Sequence, residues 1–159
     1  MNAAIDAIRS CKYLWLDTIF EPQDNQLRIR ILEATTGEMV SEARLAAEPN
    51  EVVRSILAGS RTIGHFDGCR KFELFWQSYI GYSVVDESYS NGEPATSKGQ
   101  GRLFVEYENS NYLEYLSKAT FATANHPGTY RHWAVYCSNH TIDVASQVDP
   151  VVRELPSGK

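Results

Sequence analysis

The sequence lacks the motifs by which several large enzyme classes are recognised. Its 3 cysteines include no CxxC pair, and no GxSxG, HExxH or Walker sequence occurs. The segment GQGR at 99–102 precedes a strand pattern, so it lacks the helix amino terminus that phosphate-binding loops use. These absences argue against zinc ribbons, thioredoxin-type enzymes, zinc proteases and P-loop nucleotidases. We predict no metal and no cofactor.

Long apolar runs and a basic leader are also missing. No run approaches the roughly 20 apolar residues of a membrane span, and the apolar amino-terminal stretch contains Asp6 and Arg9 with no basic run before it. Cys11, Cys69 and Cys137 are widely spaced and odd in number. That pattern indicates free thiols in a reducing compartment rather than a disulfide framework. We therefore predict a cytoplasmic protein that does not bind membranes.

Basic charge is in deficit, because the formal net charge is -5. Nucleic-acid binding needs a basic surface that displaces counterions, so the composition argues against a nucleic-acid partner. An acidic chain instead suits a basic partner protein. The length of 159 residues and the hydrophobic content of 43% are typical of one globular unit, and we predict a single domain over 1–159.

Helical signals occur in three places. Alanines at the amino terminus favour a helix, Asn50 is a helix cap followed by an apolar stripe, and Tyr112, Tyr115 and Leu116 follow helical spacing. The predicted helices cover 2–10, 50–58 and 110–120. The last two are expected to lie against the sheet.

Strand signals cover most of the remaining chain. In 26–34, Leu27, Ile29 and Ile31 alternate with arginines, which predicts a half-buried strand with Arg28 and Arg30 in water. The full set of predicted strands is 13–20, 26–34, 39–45, 61–66, 71–89, 102–107 and a final hairpin that ends at 144. Together these signals predict an α+β fold, a mostly antiparallel twisted sheet with two or three helices packed on one side.

Three segments differ from their neighbours in composition. Residues 71–89 carry apolar side chains on both strand faces, which predicts one strand or two collinear strands, bent near Gly81. Such a strand is either central in its sheet or covered on its second face by a helix or a ligand. Residues 35–38, TTGE, are predicted to turn the chain. Residues 90–101, SNGEPATSKGQG, have loop composition and are predicted to be mobile.

Candidate reactive residues gather in the hairpin TYRHWAVYCSNHTIDV, 129–144. A turn on Ser138-Asn139 pairs Val135 with Ile142 and Trp133 with Val144, which keeps apolar partners on one face. Two constellations of candidate catalytic residues result. Cys137 faces His140, as in an activated thiol, while His132 and Asp143 are diagonal neighbours on the other face. Either pair could serve a small hydrolase or transferase, or be a structural contact on a core edge or a solvated face.

Tyrosine is abundant, with 9 copies. A tyrosine ring is apolar and its hydroxyl needs a partner, so tyrosines suit surfaces that are half apolar and half wet, such as pockets and interfaces. Tyr79, Tyr82, Tyr89 and Tyr136 are the predicted ligand-binding residues. The leading hypothesis is a small soluble binding module, whose aromatic-lined surface takes a protein partner or an apolar small ligand. A homodimer through an open edge strand is a further possibility.

Overall fold

The computed structural model describes residues 2–156, and within them four α-helices accompany ten β-strands. The helices are α1 (Ala3–Ser10), α2 (Glu42–Ala47), α3 (Glu51–Leu57) and α4 (Asn111–Ala119). The strands are β1 (Tyr13–Phe20), β2 (Leu27–Met39), β3 (Arg61–Gly64), β4 (Lys71–Trp76), β5 (Gly81–Asp86), β6 (Lys98–Arg102), β7 (Phe104–Asn109), β8 (Arg131–Tyr136), β9 (His140–Ser146) and β10 (Val151–Leu155). None of the helices in the described part has the length and apolar character that crossing a bilayer requires.

The strands form two antiparallel sheets of five strands each. The first sheet has the order β1-β2-β4-β10, with β3 paired to the far end of β2, and the second has the order β5-β9-β8-β7-β6. Every pairing between these strands is antiparallel. The predicted α+β class is therefore confirmed, with the strands divided between two sheets.

The core lies between the two sheets and follows the period of two that β-strands impose. Ile29 and Phe72 of the first sheet are fully buried beside Val135 and Ile142 of the second. Trp76 and Trp133 meet edge to face across the layer, with ring centroids 6.2 Å apart. Helix α1 adds Ile8 to the same apolar cluster, and Ile5, on the same side of the helix, packs against it.

The predicted bend near Gly81 is the corner at which the chain changes sheet. Strand β4 belongs to the first sheet and β5 to the second, so one apolar run serves both layers. A Cβ at Gly81 would come within 3.1 Å of the Leu116 side chain, which explains the glycine at this corner. The two-sided apolar character of 71–89 thus has a physical cause, since its halves contribute to different layers.

Two arginines fasten α1 to the β6–β7 hairpin. Arg9 donates to the carbonyls of Phe104 (3.2 Å) and Gln100 (3.0 Å). Arg102 donates to the carbonyls of Cys11 and Lys12 just beyond the helix. Gly101, the residue before Arg102, has a φ of 120°. A Cβ at this position would overlap both the Phe104 carbonyl oxygen and the Arg9 side chain.

The prediction for residues 35–45 is wrong. Strand β2 continues through the expected turn to Met39, and α2 replaces the expected strand at 39–45. Gly37 does not turn the chain; the Phe66 ring lies where its Cβ would be. Ser41 starts α2 because its hydroxyl accepts a hydrogen bond from the Arg44 amide at 3.4 Å.

Three other segments differ from the expectations. Residues 98–101, predicted as loop, form the edge strand β6 together with Arg102, and β10 had no counterpart among the predicted elements. The Asn50 cap of α3 is confirmed, since its side chain accepts from the amides of Val52 (3.0 Å) and Val53 (3.2 Å). The apolar stripe of α3, however, is largely exposed, and no residue of this helix is buried.

Candidate functional site

The register of the β8–β9 hairpin separates the candidate reactive residues into two groups. Val135 pairs with Ile142 and Trp133 with Val144, as predicted. Cys137 belongs to the buried cluster between the sheets, while His132 and Asp143 lie on the outer face of the second sheet. The structure therefore brings together His132 with Asp143, and not all four candidates.

Cys137 lies in apolar surroundings at the hairpin tip. Burial raises the pKa of its thiol to about 12, so the thiol is protonated at neutral pH. An activated nucleophile requires the opposite shift, which a neighbouring cation normally supplies. The Cys137 amide donates to the His140 carbonyl at 2.9 Å, so the two residues meet through their backbones. Across β5–β9, His140 pairs with Asp86.

His132 is completely buried, and both of its ring nitrogens have partners. Nε2 lies 2.9 Å from Asp143 Oδ1, and Nδ1 lies 2.9 Å from the Ser110 hydroxyl. The Ser83 hydroxyl donates to the other oxygen of Asp143 at 3.2 Å. Ser110 also caps α4, accepting from the Leu113 amide at 3.1 Å. The outer face of the hairpin, for which the sequence allowed contact with solvent, is therefore covered. His132 links β8 and β9 to the start of α4.

Three tyrosines complete the surroundings of His132. The Tyr107 ring stacks on the imidazole at 5.0 Å, and the Tyr112 ring lies at 5.1 Å on a tilted plane. The hydroxyls of Tyr107 and Tyr136 are hydrogen-bonded at 3.0 Å. Burial raises the pKa of Tyr112 and of Tyr136, so both phenols remain neutral and act as hydrogen-bonding groups.

Glu93 fastens the segment that the sequence predicted to be mobile. One carboxylate oxygen accepts from the Asn111 amide (2.8 Å) and the Ser97 hydroxyl (2.8 Å). The other accepts from the Tyr112 amide (3.1 Å) and lies 4.0 Å from His132 Nδ1. A carboxylate at a helix amino terminus is stabilised by the amides that point at it.

We call Glu93, Ser110, His132 and Asp143 the covered cluster. Its carboxylates and imidazole are satisfied by protein groups, as is expected when polar groups are buried. A substrate could not reach His132 without displacing α4 or the 90–97 segment. The geometry shows what this cluster does: it attaches a helix and a loop to the outer face of the second sheet.

Two clefts flank the segment Ser90–Gly92. One, of about 400 Å³, is lined by residues that include Tyr136, Cys137 and Thr141. The other, of about 190 Å³, is lined by residues that include Tyr89 and Asp143. Burial raises the pKa of the Cys137 thiol, so the first cleft presents a protonated thiol rather than a thiolate nucleophile. Within residues 2–156, no group of three His, Cys, Asp or Glu side chains is arranged to hold a metal ion.

The four tyrosines predicted to bind a ligand do not share one surface. Tyr79 and Tyr82 meet edge to face, and both hydroxyls donate to Glu21, at 2.7 and 3.3 Å. The Glu21 carboxylate raises the pKa of Tyr79 to about 12. Tyr136 belongs instead to the surroundings of the covered cluster, and Tyr89 is exposed beside the smaller cleft.

A second candidate site is the outer face of the first sheet. Three rows of paired residues cross its four main strands. We call this surface the open face. Its rows are Phe20–Arg28–Phe75–Val151, Thr18–Arg30–Glu73–Arg153 and Trp15–Leu32–Lys71–Leu155.

Large apolar side chains on the open face remain in contact with solvent. Trp15 is 39% exposed, Phe20 42% and Val151 47%. They lie on the two outer strands of the face, with arginines between them. Scattered exposed apolar residues are ordinary, but several on one flat surface indicate a contact area.

The sequence predicted that Arg28 and Arg30 would lie in water. In the structure, contacts with neighbouring side chains hold both guanidinium groups in place. The guanidinium of Arg28 lies 5.1 Å from the Phe75 ring centroid, and that of Arg30 lies 6.0 Å from the Phe20 centroid. Both also contact the largely buried Glu73 carboxylate, at 3.4 and 3.2 Å. Stacking and ion pairing together fix each guanidinium plane.

Sequence reasoning missed the open face because its residues come from four strands that are far apart in the chain. The alternation around Arg28 and Arg30 predicted that one strand would have a polar outer side. It could not predict that Glu73 and Arg153 would stand next to them, since that depends on the order of β2, β4 and β10. The one local signal was aromatic: Trp15 and Phe20 lie at the outward positions of β1.

Fold and surface together describe an α+β protein with two stacked antiparallel sheets, one outer face covered and the other open. Comparisons with protein-family models, curated proteins and solved structures found no match to this chain.

Proposed function

We propose that this protein is a binding module that docks a protein partner on the open face of its first sheet. The observation that carries the proposal is the exposure of Trp15, Phe20 and Val151 on a surface whose other positions are mainly arginines and half-buried apolar residues. Tryptophan and arginine are enriched among the residues that dominate protein interfaces.

The size of the face fits the centre of such an interface. Four strands about 4.8 Å apart span about 15 Å, and the three rows add a similar length along the strands. A standard interface buries about 800 Å² on each partner, so the open face would form its middle and neighbouring loops its rim. The rings and guanidinium planes are already fixed by contacts within the sheet, which lowers the entropy lost on binding.

The covered cluster supports a structural role more than catalysis. His132 is enclosed by α4 and two tyrosine rings, and the Cys137 thiol has a raised pKa. Both features favour a rigid scaffold behind an interaction surface over an enzyme with a reactive centre. None of the clefts described above is lined by residues of the three rows of the open face, and a surface without a cleft suits a protein better than a small ligand.

The test compares variants of the open face with a matched exposed site. Proteins retained by the immobilised wild-type chain are purified, and their affinities are measured for Trp15→Ser, Phe20→Ser and the control Ile56→Ser on α3. We expect the first two changes to weaken binding at least about tenfold, as at interface hot spots, and the control to have no effect. Thermal unfolding of each variant confirms that the fold is kept.

Two outcomes would refute the proposal. A retained protein that binds all three variants with wild-type affinity would place its contact elsewhere. The second outcome comes from sedimentation of the isolated protein. If the protein is a dimer and Trp15→Ser dissociates it, the open face binds a second copy of the chain rather than another protein.

A further inference from the structure

We infer that the partner docks on the open face through an extended acidic segment, whose carboxylates pair with Arg28, Arg30 and Arg153. This inference rests on the proposed function and specifies the chemistry of its partner. It departs from what net charge alone suggested, because a chain of net charge -5 was expected to suit a basic partner.

Charge on the open face has the opposite sign to the charge of the whole chain. Arg28, Arg30, Lys71 and Arg153 occupy its rows, and Glu73 is the one acidic residue among them. Arg28 and Arg30 share the Glu73 carboxylate. Arg153 stands opposite Glu73 in the register of β4 and β10. One carboxylate neutralises one of these charges, so the face keeps a positive excess that a partner can meet.

The guanidinium groups keep free donors in fixed positions. A guanidinium carries five N–H donors, yet the contacts of Arg28 and Arg30 with acceptors in residues 2–156 all go to Glu73. The Nε of Arg28 is shielded from water, so a partner would meet the terminal nitrogens of this guanidinium rather than its Nε. Carboxylates match a guanidinium fork with two parallel hydrogen bonds, which is the geometry that distinguishes arginine from lysine.

Spacing favours a partner segment in extended conformation. Arg28 and Arg30 are two residues apart on β2, so their side chains emerge about 6.8 Å from each other. Alternate residues of an extended peptide have the same separation, and acidic residues at i and i+2 would face the two arginines. Trp15 and Val151, on the outer strands, would then contact apolar side chains of the same partner.

Single-stranded nucleic acid is the competing occupant, since it also uses basic and aromatic groups on sheets. Its bases stack on the flat faces of aromatic rings. On the open face, guanidinium groups already lie over the Phe20 and Phe75 rings. The acidic charge of the chain further opposes a phosphate backbone, so a carboxylate partner fits better.

The test uses ¹⁵N-labelled full-length protein and three probes of about twelve residues or nucleotides: a peptide alternating Glu and Thr, the same peptide with Gln for Glu, and oligo(dT). We expect the Glu peptide to shift the amide signals of β2, β4 and β10 and to bind at least about fivefold tighter than the Gln peptide. Raising the salt concentration should weaken this binding. Arg30→Gln and Arg153→Gln should each weaken it about threefold or more, and Arg44→Gln on α2 should not.

Each contrary outcome separates this inference from the proposed function. Equal affinity for the Glu and Gln peptides at these strands would overturn the acidic preference and leave the open face as a docking site. Tighter binding of oligo(dT) at the same amides would overturn the inference in favour of nucleic acid. A purified partner that depends on Trp15 but tolerates Arg30→Gln and Arg153→Gln would likewise refute the acidic segment while supporting the docking site.

Discussion

Replacing Glu33 with glutamine removes the negative charge from an ion pair that joins β2 to the chain just before β4. Arg70 donates to both carboxylate oxygens of Glu33, at 2.9 Å each, and the Arg70 amide donates to one of them at 3.0 Å. The Glu33 side chain is 15% exposed. These hydrogen bonds from Arg70 lower the pKa of Glu33 from 4.5 to about 2.

The pKa difference gives the size of the effect. At 1.36 kcal/mol for each tenfold change in proton affinity, it corresponds to about 3 kcal/mol of folding stability at neutral pH. Glutamine keeps one acceptor oxygen, so we expect Glu33→Gln to lower the free energy of unfolding by about 2 kcal/mol at pH 7. The exposed pair of Glu114 and Lys118 supplies the control, and Glu114→Gln should leave stability nearly unchanged.

The sign of the pH dependence follows from the direction of the shift. Because the folded-state pKa is the lower one, the stabilisation is complete above pH 4.5 and is lost as the pH falls towards 2. Urea unfolding of the wild type and of Glu33→Gln at pH 7 and pH 3 measures the difference. At pH 3 it should be less than half of its value at pH 7. An equal difference at both pH values, or one below about 0.5 kcal/mol at pH 7, would refute the reasoning.

Three further changes test other parts of the structure. Asp143→Ala leaves His132 buried without its acceptor, so urea unfolding should show a loss of about 2–4 kcal/mol, and a loss below 0.5 kcal/mol would mean that the pair contributes little. Gly101→Ala should lower the free energy of unfolding by about 1–3 kcal/mol because Gly101 has a φ of 120°. Gly59→Ala, with open space around the added Cβ, should leave it nearly unchanged. Equal midpoints of urea unfolding for the two variants would contradict this. Iodoacetamide should label Cys137 at pH 8 only after denaturation, because its pKa is about 12, and rapid labelling of the native protein would show otherwise.

The hairpin shows how far local sequence reasoning extends. Its register was predictable because only one alignment pairs Val135 with Ile142 and Trp133 with Val144. The covering of its other face was not predictable, since it depends on Glu93, whose carboxylate meets the amides at the start of α4. Local patterns determine which side chains share a face, and long-range contacts determine what lies against that face.

A glycine and a short strand account for the errors in the fold that the sequence predicted. Gly37 in a TTGE segment has the composition of a turn, but its missing side chain makes room for the Phe66 ring. Strand β10 shows one buried residue, Val152, so its apolar pattern is too short to stand out. It forms because the edge of β4 supplies backbone partners that no local pattern records.

The pairing of β10 with β4 has a consequence for how the chain is made. During synthesis, β4 leaves the ribosome about eighty residues before β10, so its edge must wait for a strand that is translated after the other nine. Helix α1, which touches β10, waits for the same event. Slowing translation beyond residue 150 should therefore lengthen the time during which nascent chains are open to chaperones and to aggregation.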